Sequence, residues 1–223
     1  GKPYLSYMTK EIKNHFNGVS EIVFIPFARP SGLTWDEYTA VARKYFEGIG
    51  ITVKGVHEFS NMQEGIKNAQ GIFTGGGNTF VLLKEVYENG LMDVLRERIR
   101  EGMPYMGTSA GSNLTGMTIN NTNDMPIVYP PSFEAIGAVP FNINPHYLDP
   151  DPSSKHMGET RETRIKEYLI YNNLRVVGLR EGSYLKVSGN NISLGGDLPM
   201  RVFEKGNEPY EIETGGDVKF LMA

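Results

Sequence analysis

Ser109 stands in Gly107-Thr108-Ser109-Ala110-Gly111, preceded by the apolar Met103-Pro104-Tyr105-Met106 and followed by Ser112-Asn113-Leu114. A short apolar strand that runs through Gly-x-Ser-x-Gly into a helix start is the nucleophile-elbow pattern, in which a strained turn holds a serine hydroxyl above the end of a parallel sheet. Small residues two before and two after the serine let strand and helix close around a residue in an unfavourable backbone conformation. The N–H of Ala110 would then sit at a helix N-terminus, where free amides and the helix dipole favour a developing negative charge. The same pentapeptide also suits an ordinary glycine-rich strand-to-helix turn, so other residues must distinguish the two.

A serine nucleophile needs a base within hydrogen-bond reach and an acid behind that base to fix its tautomer. The chain has four histidines and no cysteine, which excludes a cysteine nucleophile, thiolate metal sites and disulfides. His15 falls in an N-terminal helical pattern, His57 follows an early strand, and His156 lies in the polar Lys155-His156-Met157-Gly158; each reads as a surface or structural histidine. His146 follows Pro145 at the end of an apolar segment beyond the elbow, where this fold gathers its triad from separate loops. For the acid, Glu181 at a strand end is the better placed candidate, with Asp124 and Glu159 as competitors in polar, turn-rich sequence.

Gly75-Gly76-Gly77 is a second glycine cluster at a strand end. It lacks the third glycine of G-x-G-x-x-G, and no Gly-Lys-Ser/Thr follows for a phosphate loop. Its other use is to bring backbone amides close to a reacting carbonyl, since an oxyanion hole takes one donor from a different strand-helix loop.

The elements that must position these residues alternate along the first half. A helix is expected from Tyr4 to His15, strands at Glu21 to Ala28, Ile51 to Val56 and Gly71 to Thr74, and helices at Thr34 to Glu47, Asn61 to Ala69, Thr79 to Glu88 and Leu91 to Arg100. Nearly continuous apolar strands between helices argue an α/β fold with a mostly parallel sheet covered on both faces, its ligands at the C-terminal strand ends. From Thr115 to Ser154 seven prolines break the chain into loops that retain apolar pieces such as Ala138 to Ile143. A helix at Glu159 to Tyr171 and a strand at Arg175 to Leu179 follow. Tyr184 to Val187, Asn191 to Leu194, Arg201 to Glu204 and Pro209 to Glu213 then read as a C-terminal antiparallel extension.

At 223 residues the chain is expected to form a single domain, 1–223, with 39% hydrophobic and 22% charged residues. A net charge of −4 without a basic stripe argues against nucleic acid as a partner. No apolar run reaches the ~20 residues that span a bilayer, and the first residues do not read as a signal peptide, so no membrane partner and a cytoplasmic location are expected. The sequons at Asn113, Asn120 and Asn191 are then read as chance.

Six blocks together resemble the peptidase E family of α-aspartyl dipeptidases, serine peptidase family S51: Gly75-Gly76-Gly77-Asn78-Thr79-Phe80, Gly107 to Gly111, Thr122 to Val128, Ile143-Asn144-Pro145-His146, Gly158-Glu159-Thr160-Arg161 and Glu181-Gly182. They span most of the chain in the family's order. The resemblance implies a fold similar to class I glutamine amidotransferases with serine in place of cysteine, a nucleophile Ser109, a general base His146, Glu181 as third member, and an oxyanion hole from the amides of Gly77 and Ala110. It implies hydrolysis of Asp-X dipeptides through an acyl-enzyme, with no cofactor or metal, as monomer or homodimer. Family members usually begin with an apolar strand that this sequence lacks before Gly1. For specificity, Arg161 is the expected grip for the substrate's side-chain carboxylate and Asp124 or Glu159 for its ammonium, with Asn78 in the same substrate-binding set. Two alternatives remain: a cyanophycinase-like exopeptidase acting on β-aspartyl linkages, and a non-catalytic binding protein on the same fold, which would need no complete triad.

Overall fold

The computed structural model of the chain describes residues 4–151, 153 and 158–223, so His156 lies outside the described residues. Its elements in chain order are α1 (Thr9–His15), β1 (Glu21–Ile25), α2 (Trp35–Glu47), β2 (Thr52–Gly55), α3 (Met62–Lys67), β3 (Ile72–Thr74), α4 (Thr79–Glu88), α5 (Met92–Arg100), β4 (Tyr105–Gly107) and α6 (Ala110–Asn113). After a long loop come β5 (Asn142–Pro145), α7 (Arg161–Tyr171), β6 (Val176–Leu179), β7 (Tyr184–Ser188), β8 (Asn191–Gly195), β9 (Met200–Phe203) and β10 (Tyr210–Ile212).

β1 is the middle of the first sheet because four of its five residues are buried, Ile22 to Ile25, and can pack on both faces. It pairs in parallel with β2 on one side and β3 on the other, and β3 pairs in parallel with β4, giving the order β2-β1-β3-β4. One face packs Val23, Ile25 and Ile72 with Leu82, Val86 and Leu95. The other packs Ile22, Phe24 and Phe73 with Phe16, Ala42 and Phe46. The Thr34 side chain caps α2 by accepting from the Glu37 N–H, and Glu37 returns the bond to Thr34.

The second sheet has the order β10-β9-β6-β5. β5 and β6 run parallel, while β9 and β10 add antiparallel strands at one side. β7 and β8 form a separate hairpin. The C-terminal extension expected from sequence is therefore shared between a hairpin and two strands appended to β6. The first strand after the long loop starts at Asn142, later than the apolar run at Ala138 suggests. Pro140 has no N–H to give a ladder, and the buried Val139 and Phe141 join the third core cluster from outside a strand. The N-terminal helix also starts later than expected, at Thr9 after a 3-10 turn at Ser6–Met8.

Candidate active site

The turn after β4 has the geometry the glycine spacing asks for. Ser109 has φ 53° and ψ −112°, a strained conformation for a residue with a Cβ. A Cβ on Gly107 would lie 2.2 Å from the Gly111 carbonyl oxygen, and one on Gly111 would lie 2.4 Å from the Thr74 carbonyl oxygen. Only glycine at both positions lets strand, turn and helix meet. The helix that follows is a single turn, Ala110–Asn113, so the Ala110 amide rather than a long dipole is what the elbow presents.

Among the described residues, the N–H groups of Gly77 and Ala110 donate to no acceptor, and Ser109 Oγ has no hydrogen-bond partner. Gly77 has φ 144°, and a Cβ there would fall 2.2 Å from the Ala28 carbonyl oxygen. That carbonyl also accepts the Asn78 N–H at 2.7 Å, which fixes the β3–α4 loop against the end of β1. A Cβ on Gly76 would be 2.8 Å from Ser109 Cβ, so this glycine loop lies directly against the elbow serine.

His146 follows the last residue of β5 and Glu181 lies two beyond the last residue of β6, and Pro145 and Leu179 are register partners. The pairing brings the two side chains together: His146 Nδ1 contacts Glu181 Oε1. His146 has φ 55°, so of three described non-glycine residues with positive φ two are Ser109 and His146. The side chains of His146 and Glu181 are 49% and 70% exposed, and an ion pair this open contributes only about 0–1 kcal/mol to stability, so it acts mainly on ring orientation. With Nδ1–H directed at the carboxylate, Nε2 is left as the acceptor nitrogen.

Asp124 is engaged elsewhere. Its Oδ2 accepts the Thr79 N–H at 2.7 Å, the Thr79 hydroxyl at 2.6 Å and the Thr122 hydroxyl at 3.3 Å, at the start of α4. Asn113, nearly fully buried, donates to Thr79 Oγ1 at 2.9 Å and ties the single turn after the elbow into the same cluster. Asn78 caps α4 by accepting from the Val81 N–H at 3.1 Å and donates to the Met125 carbonyl at 2.9 Å. Glu159 is exposed and pairs with Arg164 at 3.8 Å. Arg161 opens α7, donates to the Pro145 carbonyl at 3.3 Å beside His146, and has no acidic partner within ion-pair distance among the described residues. Burial and then the neighbouring Arg164 lower its basicity, while Glu181 and Asp124 oppose this.

Two further supports surround these residues. Asn142 and Asn144, both buried in β5, hold the preceding loop: Asn144 donates to the Asn121 carbonyl at 2.8 Å, and Asn142 Oδ1 accepts the Thr118 N–H at 3.0 Å. Two asparagines alternating in a buried strand are the signal in sequence, since buried amides need partners. Arg180, between Leu179 and Glu181, donates to both carboxylate oxygens of Asp149 at 3.0 and 2.7 Å and to both of Glu211 at 2.8 and 3.0 Å. The hydrogen bond from Arg180 holds the Asp149 carboxyl below its usual range. Asp149 is three residues after His146, so this fork joins the loop carrying His146 to the loop carrying Glu181.

One group of potential metal ligands occurs among the described residues: Asp36, His57 and Glu58 bring ligand atoms within 4.8 Å of one another. Arg43 holds both oxygens of Glu58 at 3.0 and 2.9 Å, and His57 Nε2 lies 2.9 Å from Asp36, so ion pairs account for the cluster. No described helix is long and apolar enough to cross a membrane.

The sequence model for peptidase family S51 matches residues 1–195. The chain belongs to peptidase family S51. Within and around this family, peptidase E of Streptomyces coelicolor is 45% identical over 222 residues, covering 100% of this chain and 90% of that protein. A Drosophila melanogaster protein named "Probable alpha-aspartyl dipeptidase" is 42% identical over 225 residues, covering 100% of this chain and 92% of that protein. Among solved structures, a peptidase from an acI-B1 Actinobacterium superposes with a TM-score of 0.66 at 19% identity, covering 96% of this chain and 92% of that one, which shows a shared fold.

Proposed function

We propose that this S51 chain is a serine dipeptidase that cleaves the bond after an N-terminal aspartate in Asp-X dipeptides, with Ser109, His146 and Glu181 as its triad. The contact of His146 Nδ1 with Glu181, on register-paired strand ends, is the observation that carries the reading. The name of the Drosophila relative points to the same substrate class, and that of the Streptomyces relative to a peptidase.

In this mechanism Ser109 Oγ attacks the aspartyl carbonyl while His146 Nε2 accepts its proton. The amides of Gly77 and Ala110, free of other acceptors, stabilise the oxyanion. His146 passes the proton to the leaving amine, and water then hydrolyses the acyl-enzyme with His146 as base again. Arg161 grips the β-carboxylate, and a bidentate guanidinium suits that planar group better than an ammonium would. The substrate ammonium is assigned to Asp124, whose Oδ1 has no hydrogen bond among the described residues, in preference to the exposed Glu159. Asn78 serves the same site by fixing the loop through its cap and its bond to Met125. The chain acts as one domain and needs no cofactor.

A panel of Asp-X, Glu-X, Asn-X and β-Asp-X dipeptides tests the reading. Asp-X should be hydrolysed at least 10²-fold faster in kcat/KM than Asn-X, the loss expected when a charged grip meets an uncharged isostere. Preferential cleavage of β-Asp-X would contradict it.

A further inference from the structure

We propose that Asn17 is a site of self-modification, where the Gly18 nitrogen attacks the asparagine side chain and converts it to aspartate and isoaspartate, while the fold holds the chain's other Asn-Gly pair, Asn89-Gly90, inert. This modification does not depend on the dipeptidase reading and concerns the joint between α1 and β1.

The residue pair supplies the chemistry. When glycine follows asparagine, the next backbone nitrogen reaches the side-chain carbonyl carbon with least obstruction, because glycine has no Cβ to crowd the approach. The Gly18 N–H gives its proton to solvent base, its nitrogen bonds to Asn17 Cγ, and the Cγ–Nδ2 bond breaks with release of ammonia. Water then opens the resulting succinimide ring. Addition at Cγ leaves aspartate, and addition at the main-chain carbonyl leaves isoaspartate, in which the chain runs through Cβ and Cγ. The balance is one water consumed and one ammonia released, with no change of oxidation state.

The sequence holds two such pairs, so local chemistry alone makes them equal and the fold must tell them apart. At Asn17 nothing opposes the attack. The residue is exposed on the turn after α1, and among the described residues neither its side-chain amide nor the Gly18 N–H makes a hydrogen bond. Gly18 has φ 81°, and a Cβ there would meet nothing within 4 Å. The nitrogen is therefore free to lose its proton, and the backbone has room to turn toward Cγ.

At Asn89 each reacting group is tied down. The Gly90 N–H donates to the Tyr87 carbonyl at 2.9 Å, which keeps the attacking nitrogen protonated and engaged. Asn89 Nδ2, the leaving nitrogen, donates to the Glu85 carbonyl at 2.8 Å and to Glu85 Oε2 at 3.3 Å. A Cβ on Gly90 would lie 2.4 Å from Gln63 Nε2, so this turn is packed against α3. Attack here requires these bonds to open together, a local unfolding that the exposed turn at Asn17 does not need.

The isoaspartyl product alters a joint that the core uses. The Val19 N–H donates to the Phe16 carbonyl at 2.9 Å across Asn17 and Gly18. Phe16 is buried and Val19 packs against the same cluster, so both ends of the turn are seated. An additional backbone carbon between them breaks that hydrogen bond or unseats one of the two side chains. β1 begins at Glu21, so the change falls at the entry to the first sheet.

The test follows both sites in one sample. The chain is incubated at mildly alkaline pH, folded and in denaturing urea, then digested with trypsin and sequenced by mass spectrometry, with residues 14–29 and 85–96 as the two informative peptides. Folded protein should gain the mass of amide-to-acid conversion at Asn17 at least about tenfold faster than at Asn89, where several hydrogen bonds must open first. In urea the two rates should converge, and Gly18→Ala, whose methyl crowds the nitrogen, should slow the reaction at residue 17 alone. The isoaspartyl fraction should melt about 2–4 °C below the parent, the worth of one backbone hydrogen bond in a chain of this length. Equal rates in the folded chain, a faster reaction at Asn89, or no reaction at Asn17 would each overturn the proposal. Rates that stay unequal in urea would assign the difference to local sequence rather than to the fold and would overturn it as well. An isoaspartyl fraction that melts with the parent would contradict the effect on the joint.

Discussion

The carboxylate of Asp124 accepts both the backbone N–H and the hydroxyl of Thr79, at 2.7 and 2.6 Å, and so closes the N-terminus of α4 two residues beyond Gly77. Removing that acceptor leaves a buried donor pair and loosens the loop that presents the Gly77 amide. Asp124→Ala should therefore cost about 1–2 kcal/mol of stability as well as activity. Thermal denaturation beside kinetics checks this, and an unchanged midpoint would show that the carboxylate does not hold the helix start.

Gly77→Ala forces a Cβ against the Ala28 carbonyl at a φ of 144°, where side chains are strained. The expected loss is about 2 kcal/mol, a fall of about 4–8 °C in Tm. Because the amide is displaced with the backbone, kcat/KM on Asp-X should drop by about 10² or more. Gly18→Ala, a positive-φ position with open space around it, is the control for strain alone and should leave kcat/KM within about twofold.

Arg180→Gln separates the loop of His146 from the loop of Glu181, since the fork to Asp149 and Glu211 is lost. On the proposed mechanism, kcat should fall about tenfold with KM nearly unchanged, because His146 is misoriented while Arg161 and Asp124 stay in place. If KM rises and kcat holds, Arg180 supports substrate binding instead.

His15 supplies a pH dependence of stability. Burial lowers its pKa from the ordinary value, the bond of Nε2 to the Tyr105 carbonyl at 3.0 Å opposes that, and Lys186 adds to it. An unfolded chain takes up a proton near pH 6.5 that the folded chain resists, so stability is full above that value and declines as pH falls below it. The urea midpoint should decrease from pH 7.5 to pH 5.5, and His15→Gln, which keeps a donor for Tyr105 without titrating, should show a shallower slope. Equal slopes would place the titrating group elsewhere.

The elbow was readable because its chemistry demands glycine at two fixed positions, and the 2.2 and 2.4 Å approaches at Gly107 and Gly111 are the reason. His146 and Glu181 were readable as strand-end residues, and the β5–β6 register brings them into contact. Asp124 competed for the acid's place on polarity alone; two of its three donors, the N–H and hydroxyl of Thr79, come from a distant part of the chain, and no local pattern encodes them. Arg180 went unread for the same reason, since its partners at 149 and 211 meet only after β6, β9 and β10 assemble. The start of β5 was misplaced because Ala138 to Phe141 is as apolar as a strand, while Pro140 interrupts that run and pairing with β6 begins at Asn142.

The most direct measurement of the central claim is kcat/KM for Asp-Leu in the parent and in Ser109→Ala. The hydroxyl belongs to a turn whose geometry rests on Gly107 and Gly111, so its loss removes acylation and little packing. Ser109→Ala should keep the parental melting temperature within about 2 °C and lose at least about 10⁴-fold in kcat/KM, as expected for a member of a catalytic unit. A folded Ser109→Ala protein that retains activity within tenfold of the parent would contradict the account.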